Sequence, residues 1–363
     1  MKRQAGSVII IVLWTAVLLT VLVTAMASKV RLSAQTVIHN QEASMSWATL
    51  MGAVNQTEME LMLDRMPRPI DEDLQRTADG ATRTPAYRFN GQPAELHYPL
   101  GENITVRIFD HAGKINLNRI PRRNMQLLIE KRLGGQQADP EEVQDLLTAW
   151  TDWTDLNDLE GLNGAERDYY ESLEQPYTPR NNPELDTVEE ILHIRGFAEL
   201  FEGVNLEAAF TIYGNTRTVN LNLATREAME LLPGLDEELI ENILAYRELD
   251  ELNNRAEIAE IVPFEELQEL SPWVGNNTSN FYSVFVYENI EVDEETLQTL
   301  AEKEFPNLDL VQQAYMEIVE VRGFSELPNI HRIDPYGRLP DTGPPRVYEE
   351  DYLFDIPSGF SVD

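Results

Sequence analysis

MKRQAGSVIIIVLWTAVLLTVLVTAMAS, residues 1–28, is the stretch that decides the architecture. Lys2 and Arg3 are followed by a run from Ser7 to Ser28 without a single charged residue. About 20 residues at 1.5 Å rise each cross a hydrocarbon core of about 30 Å as a helix, so the run reads as one membrane-spanning segment. It is longer than the apolar part of an ordinary secretory signal. Ala25-Met26-Ala27 nevertheless has the form of a cleavage site, which leaves a cleaved signal as the alternative. A buried core helix is a third reading, and such helices rarely run this far without a charge. The positive-inside rule places Lys2 and Arg3 in the cytoplasm and everything after Lys29 on the far side of the membrane.

The leader MKRQAG is short and basic, and it ends in Gly6 directly against the apolar run. It resembles a class III, prepilin-type signal. The resemblance implies that a prepilin peptidase cuts on the cytoplasmic side between Gly6 and Ser7 and leaves the helix in place. Pilins usually begin with Phe or Met, where this chain has Ser7. Most also carry a glutamate at the fifth mature position, which here is Ile11. A carboxylate inside a bilayer is costly and is kept only where it has a partner. In major pseudopilins that partner is the N-terminal amine of a neighbouring subunit, a pairing that a subunit at the filament tip does not need.

Beyond the membrane, Val30, Val37, Met45, Leu50, Val54, Leu61 and Leu63 alternate with polar residues up to Met66, where Pro67 and Pro69 end the helix. Residues 67–85 read as a loop. AELHY (94–98) and NITVRIF (103–109) read as a hairpin interrupted by Pro99 and Gly101, and strand signal returns at FYSVFVY (281–287). Between them the chain is mostly helical. Asp139–Pro140 is suited to an N-cap and first turn, and Gly134 and Gly196 stand where helix C-caps belong. The fold class expected is therefore α+β: a pilin-like long N-terminal helix packed on a small antiparallel sheet, with a large inserted helical domain. The expected divisions are a leader (1–6), a transmembrane helix (7–28), its amphipathic continuation (29–66), an α+β part (67–115), the inserted α-domain (116–275), and a second α+β part with an acidic extension (276–363). INLN at 115–118 recurs as VNLN at 219–222, and RGF at 195–197 recurs at 322–324. The echo suggests two related helical units rather than a solenoid, because the intervals differ.

The chain carries 63 acidic against 28 basic residues, a formal net charge of −35, which repels nucleic acid and anionic lipid and attracts cations; adaptation to high salt, or plain solubility, is the competing reading of that charge. There are no cysteines, which removes disulfides, thiolate zinc sites, iron–sulfur clusters and thiol catalysis. The five histidines are scattered, and no H-E-x-x-H, G-x-S-x-G, Walker A or G-x-G-x-x-G motif occurs, so an enzyme is not expected.

Two motifs remain. Residues 219–249 hold a helix, a Leu232-Pro233-Gly234-Leu235 turn and a second helix, a helix-hairpin-helix pattern like that of many DNA-binding proteins. The turn is followed by Asp236, Glu237, Glu238 and Glu241, and the segment supplies only Arg226 and Arg247 as cations. Phosphate binding needs cations, so a compact packing unit is the preferred reading and a membrane-tethered DNA-uptake protein the alternative. The second motif is AWTDWTDLNDLEGLNGAERDYYESLEQPYTPRNNPELD, residues 149–186. Asp152, Asp155, Asn157, Asp158 and Glu160 crowd together, Glu166, Asp168 and Asn181 follow, and Gly161 and Gly164 allow sharp turns. Clustered oxygen ligands suit Ca²⁺, although the spacing is not that of an EF-hand, and a solvated acidic loop is the competing reading.

This second motif is the closest likeness to the general secretion pathway protein K (GspK) family, the K-type minor pseudopilins of type II secretion systems. Trp153 to Asp158, Gly164 to Tyr170, Pro176 to Pro183 and Leu185 to Glu190 carry the resemblance. Gly6 to Leu13–Trp14, the absent glutamate at Ile11 and the Asn-x-Asn…Leu-Pro-Gly pattern add to it. The resemblance implies helix-hairpin-helix or SAM-like units in the α-domain. It also implies calcium, with Asp152, Asp155, Asn157, Asp158, Glu166 and Asp168 as candidate ligands and Pro176, Tyr177 and Pro179 buckling the loop. It implies a single-pass protein of the inner membrane with its bulk in the periplasm. Such a protein caps a pseudopilus with I- and J-type minor pseudopilins above the major pseudopilin. A minor type IV pilin shares the leader but not the 149–197 block. Residues 288–363, including GPP at 343–345 and the acidic YEEDYLFD, match nothing in the family.

Overall fold

The computed structural model describes residues 5–66, 87–101, 103–179, 182–289, 314–337 and 339–340. The expected loop at 67–85, the tail from 341 onward and most of the acidic 288–313 segment lie outside them, as does Asn181.

Helix α1 runs over Ala5–Asp64. Two compact units divide it: Met1–Asn55 forms one and Gln56–Asp363 the other. In the first unit the apolar side chains from Ile10 to Leu32 are exposed all round the helix. The hydroxyls of Thr15, Thr20, Thr24 and Ser28 donate back to carbonyls three or four residues earlier, at 2.8–2.9 Å. Every side-chain hydroxyl among them is thus satisfied without water, the condition a helix in hydrocarbon has to meet. Helix α1 is long and apolar enough to cross a membrane.

Among the described residues the second unit is built on a five-stranded antiparallel sheet. Its strands are β1 (Asn90–Pro93), β2 (Ile104–Asp110), β5 (Phe281–Glu288), β6 (Ala314–Glu320) and β7 (Asn329–Gly337), ordered β1-β2-β5-β6-β7. The first strand precedes the expected one. It pairs Asn90 with Phe109, and Gly91 at φ +88° lies so close to the Phe109 ring that no side chain fits there. The AELHY stretch that reads as a strand is instead drawn towards α1, where His97 donates its backbone N–H to Glu60. The central strand β5 is buried on both faces. Tyr282 meets Arg65 at the end of α1, while Phe285 and Tyr287 share the other face with Phe109, Met316 and Ile318. Burial on both faces accounts for the near-continuous apolar run of FYSVFVY.

Adjacent strands β2 and β5 are the two ends of the helical region. At that junction the Asp110 carboxylate accepts from the backbone N–H groups of Ala112 at 2.8 Å and Ser279 at 3.0 Å, tying the outgoing chain to the returning one. Burial pushes its pKa up to about 7 against these two bonds. Beyond the junction come β3 (Ile115–Asn116), α2 (Arg122–Arg132), α3 (Pro140–Thr154), α4 (Arg167–Glu171), α5 (Phe197–Leu200), α6 (Leu206–Ala209) and β4 (Phe210–Thr211). Helices α7 (Arg226–Leu231), α8 (Glu237–Arg247), α9 (Arg255–Ile261) and α10 (Phe264–Leu270) follow. Asp139 caps α3 through the N–H of Glu141, and Gly134 turns left-handed (φ +101°) after α2. Gly196 is left-handed too, closing a 3₁₀ turn at 188–193 and opening α5. These helices share one core that includes Met125, Leu128, Trp150, Trp153, Phe197 and Trp273.

The Asn-x-Asn echo corresponds to a repeated structure. Asn116 Oδ1 accepts from the N–H of Asn118, and Asn220 Oδ1 from that of Asn222, each at 3.1 Å. Asn118 grips both backbone groups of Leu185, accepting at 2.7 Å and donating at 3.1 Å, and Asn222 grips Leu252 in the same way at 2.7 and 3.0 Å. Each motif also runs parallel to a later segment: Ile115 pairs with Phe210 and Val219 with Val274. The side-chain amide replaces a missing strand partner at the same place in both units. The RGF echo has no such basis, since Arg195 holds a loop carbonyl and Arg322 pairs with Glu320.

Candidate cation site

Helix α3 is amphipathic, and its buried face carries Val143, Leu147, Trp150 and Trp153. Asp152 is carried on the same buried side and is only 4% exposed. Its Oδ2 accepts from the N–H of Gly161 at 3.1 Å and of Ala165 at 3.0 Å, so the loop returns across the end of the helix. A Cβ on Gly164 would collide with this carboxylate, and one on Gly161 would press on it and on Thr148, so both glycines are needed for the close approach. Arg195 donates to Gly164 O at 2.7 Å and holds the same turn from outside. Below the loop Trp153, Tyr170 and Tyr177 pack ring on ring, and the Tyr177 hydroxyl donates to His193 O. Trp153 also donates to Glu190 at 3.2 Å. Tyr177 thus fastens the end of the loop, as its place in the Pro-Tyr-x-Pro segment suggests.

This path brings Asp152, Asp155 and Glu166 together, with one oxygen of each within 4.8 Å of the others. Glu166 is the N-cap residue of α4, is 5% exposed, and its buried Oε1 has no hydrogen-bond partner. Burial and then the negative charges of Asp152, Asp155 and Asp158 push its pKa up to about 7. Two buried carboxylates and the half-buried Asp155 converge beside an unpartnered oxygen, a concentration of negative charge that a hard cation with oxygen ligands would offset. The donor set therefore fits Ca²⁺. Of the other candidates, Asp158 lies 3.4 Å from Arg167 at the rim. Asn157 turns its Oδ1 onto the N–H of Leu159 at 2.9 Å, and Asp168 is exposed in the first turn of α4. Arg195 is the supporting residue that sequence reading passes over, its one signal being the RGF triplet.

The hairpin of α7 and α8 has spent its cations internally. Arg226 pairs with Glu237 at 2.7 Å and with Glu241, and Arg247 donates to Ala224 O at 2.6 Å and Leu221 O at 3.3 Å. The Leu-Pro-Gly-Leu turn is capped by Lys131, whose ammonium donates to Leu232 O and Leu235 O at 2.6 and 2.8 Å. Gly234 (φ +78°) abuts the backbone of Glu266, so the turn faces the domain's own interior.

Residues 113–201 match the family model of type II secretion system (T2SS) protein K, first domain. The match begins at the neck of the helical region and takes in the Asn116–Asn118 motif and the whole carboxylate loop. No curated protein matches the sequence. Among solved structures the chain is similar to one from the crystal structure of the GspK-GspI-GspJ complex of the enterotoxigenic Escherichia coli type 2 secretion system. The TM-score is 0.46 at 12% identity, covering 82% of this chain and 98% of that one.

Proposed function

We propose that the chain is a minor pseudopilin of the type II secretion protein K family, whose first-domain model residues 113–201 match, and that it caps the tip of a pseudopilus and supports the export of folded proteins. The observation that carries this reading is the position of the protein K domain. It is inserted between the neighbouring strands β2 and β5, so a pilin-like sheet bears a large helical body at one end. A subunit so loaded leaves no room for another to be added above it. Its neighbours in this reading are I- and J-type minor pseudopilins, such as those that accompany GspK in the E. coli complex, with the major pseudopilin below. The role is structural and non-enzymatic.

The same reading gives the N-terminus three roles. Prepilin peptidase cuts between Gly6 and Ser7, α1 holds the protein in the inner membrane as a single pass, and the bulk of the chain lies in the periplasm. Ile11 offers no carboxylate to a neighbour's amine, as befits a subunit with nothing above it. The trio of Asp152, Asp155 and Glu166 holds calcium, which neutralises the buried charge and fixes the loop onto α3. A DNA-uptake role would need free cations on the α7–α8 hairpin, where Arg226 and Arg247 already have partners.

The test is made in secreting cells that overproduce the major pseudopilin. Without this chain, surface pseudopili should lengthen and export should fail, and both should be restored by the wild-type chain. Pseudopili of unchanged length and number would overturn the tip assignment. Ile11→Glu should insert normally but alter initiation, and unaltered assembly would count against the role given to Ile11.

A further inference from the structure

A cavity of about 280 Å³ opens between the sheet and the helical region, away from the carboxylate loop. One wall is apolar, formed by Phe210, Phe285, Met316 and Ile318, each under 10% exposed. The opposite side holds Lys114, only 4% exposed, whose ammonium makes one hydrogen bond, to Glu207 O at 2.8 Å. An ammonium has three donors, and among the described residues no carboxylate lies within ion-pair distance of this one. Asp186, Glu189 and Glu207 also line the cavity, and the carboxylates of Glu207 and Glu227 act on the ammonium from beyond ion-pair distance. Arg332 pairs with Glu207 at 2.6 Å, and the buried His111 spends both ring nitrogens on Thr211 and Ser283 at 2.7 and 2.8 Å.

We propose that this cavity binds a small monocarboxylate with a short apolar tail, its carboxylate on the Lys114 ammonium and its tail against Phe210, Phe285 and Met316. Burial lowers the Lys114 pKa to about 8, which leaves the group charged at neutral pH, and a carboxylate would supply its missing acceptor. The volume lies slightly below the ordinary range for small-molecule sites, about 300–1,000 Å³, which restricts the ligand to amino-acid size. That chemistry belongs both to a free branched-chain acid and to the C-terminus of a peptide ending in an apolar residue.

The experiment uses the full chain in lipid nanodiscs, titrated with 4-methylpentanoate and with N-acetyl-leucine and followed by saturation-transfer NMR. The uncharged 4-methylpentan-1-ol serves as the control. Saturable binding of either acid, at least tenfold tighter than the alcohol, is expected from a charge-assisted bond. Tighter binding of N-acetyl-leucine identifies a peptide C-terminus, and equal or tighter binding of 4-methylpentanoate a free acid. Lys114→Met should weaken the acids at least tenfold while leaving the alcohol unchanged. Should Lys114→Met fail to fold, Thr187→Trp, at an exposed position on the cavity rim, decides by closing the entrance and abolishing binding. Failure of both acids to saturate at millimolar concentration, or unchanged binding in either folded variant, overturns the proposal.

Discussion

Glu60, on the last turns of α1, and Glu166, at the head of α4, are both buried glutamates in a strongly acidic chain, yet they titrate in opposite directions. Burial alone would raise the pKa of Glu60. His97 donates to it from its backbone at 3.0 Å, the His97 ring adds a second contact, and Arg88 lies at 2.6 Å, and together they hold it below the ordinary value. Burial raises Glu166 too, but there the neighbours are Asp152, Asp155 and Asp158, and the result is a group pushed up to about 7. One site closes its charge with cations of its own chain. The other sets Asp152, Asp155 and Asp158 around a buried oxygen without a hydrogen-bond partner, and in the proposed reading it closes with a cation from outside. The contrast shows why acidity alone is a poor guide to metal binding: what distinguishes Glu166 is the absence of an internal partner at a buried oxygen.

Breaking the internal pair should give the largest effect. Arg88→Met strips Glu60 of its guanidinium and should cost about 3 kcal/mol of unfolding free energy at pH 7, measured by denaturant titration. A loss no larger than that of an exposed ion pair would show that His97 alone suffices.

Matched amide substitutions then sharpen the comparison by sign. Glu60→Gln should destabilise by about 2 kcal/mol, since it removes the charge that Arg88 pairs with. Glu166→Gln should stabilise the calcium-free protein by about 1 kcal/mol, since it removes the repelled charge, and should abolish any gain from calcium. Equal signs in the two variants would end the contrast.

The pH dependence follows the same division. The folded-state pKa of Glu166 is raised from 4.5 to about 7, so its contribution favours the folded protein at low pH and is lost as pH rises through that window. Glu60 is lowered, so its contribution is present above 4.5 and is lost as pH falls through its folded-state value. Asp110 and Glu317 are also raised to about 7, so the Glu166 part is read as the difference between wild type and Glu166→Gln in calcium-free buffer. Calcium should reverse the sign of that difference, because only the wild type gains from it.

The smallest effect concerns the loop path. Gly164→Ala places a methyl group against the Asp152 carboxylate and should weaken calcium binding more than it lowers calcium-free stability. The comparison is between the two shifts in melting temperature.

Much of this was legible in the residues. The uncharged run to Ser28 specifies α1, Asp139–Pro140 specifies the start of α3, and the paired Asn-x-Asn motifs mark two units built alike. The carboxylate loop could be located but not resolved into a site. Which of its acids converge depends on Gly161 and Gly164 folding the chain back onto Asp152 thirteen residues before Ala165, a long-range event with no periodic signal. The first strand departs from its expected place for a similar reason: AELHY has strand composition, but Glu60 draws His97 away, and Asn90–Pro93 pairs instead through Gly91. Arg226 and Arg247 are indistinguishable from phosphate-binding cations until their acceptors, Glu237 and the carbonyl of Ala224, are seen.

The most direct test of the account is calcium titration of the protein by calorimetry, with thermal melts alongside. Saturable binding and a raised melting temperature are predicted, worth about 2.7 kcal/mol at a hundredfold excess over Kd, and both should vanish in Asp152→Asn. No heat of binding at millimolar calcium, with the melting temperature unmoved, would contradict the claim that the carboxylate trio is completed by a cation.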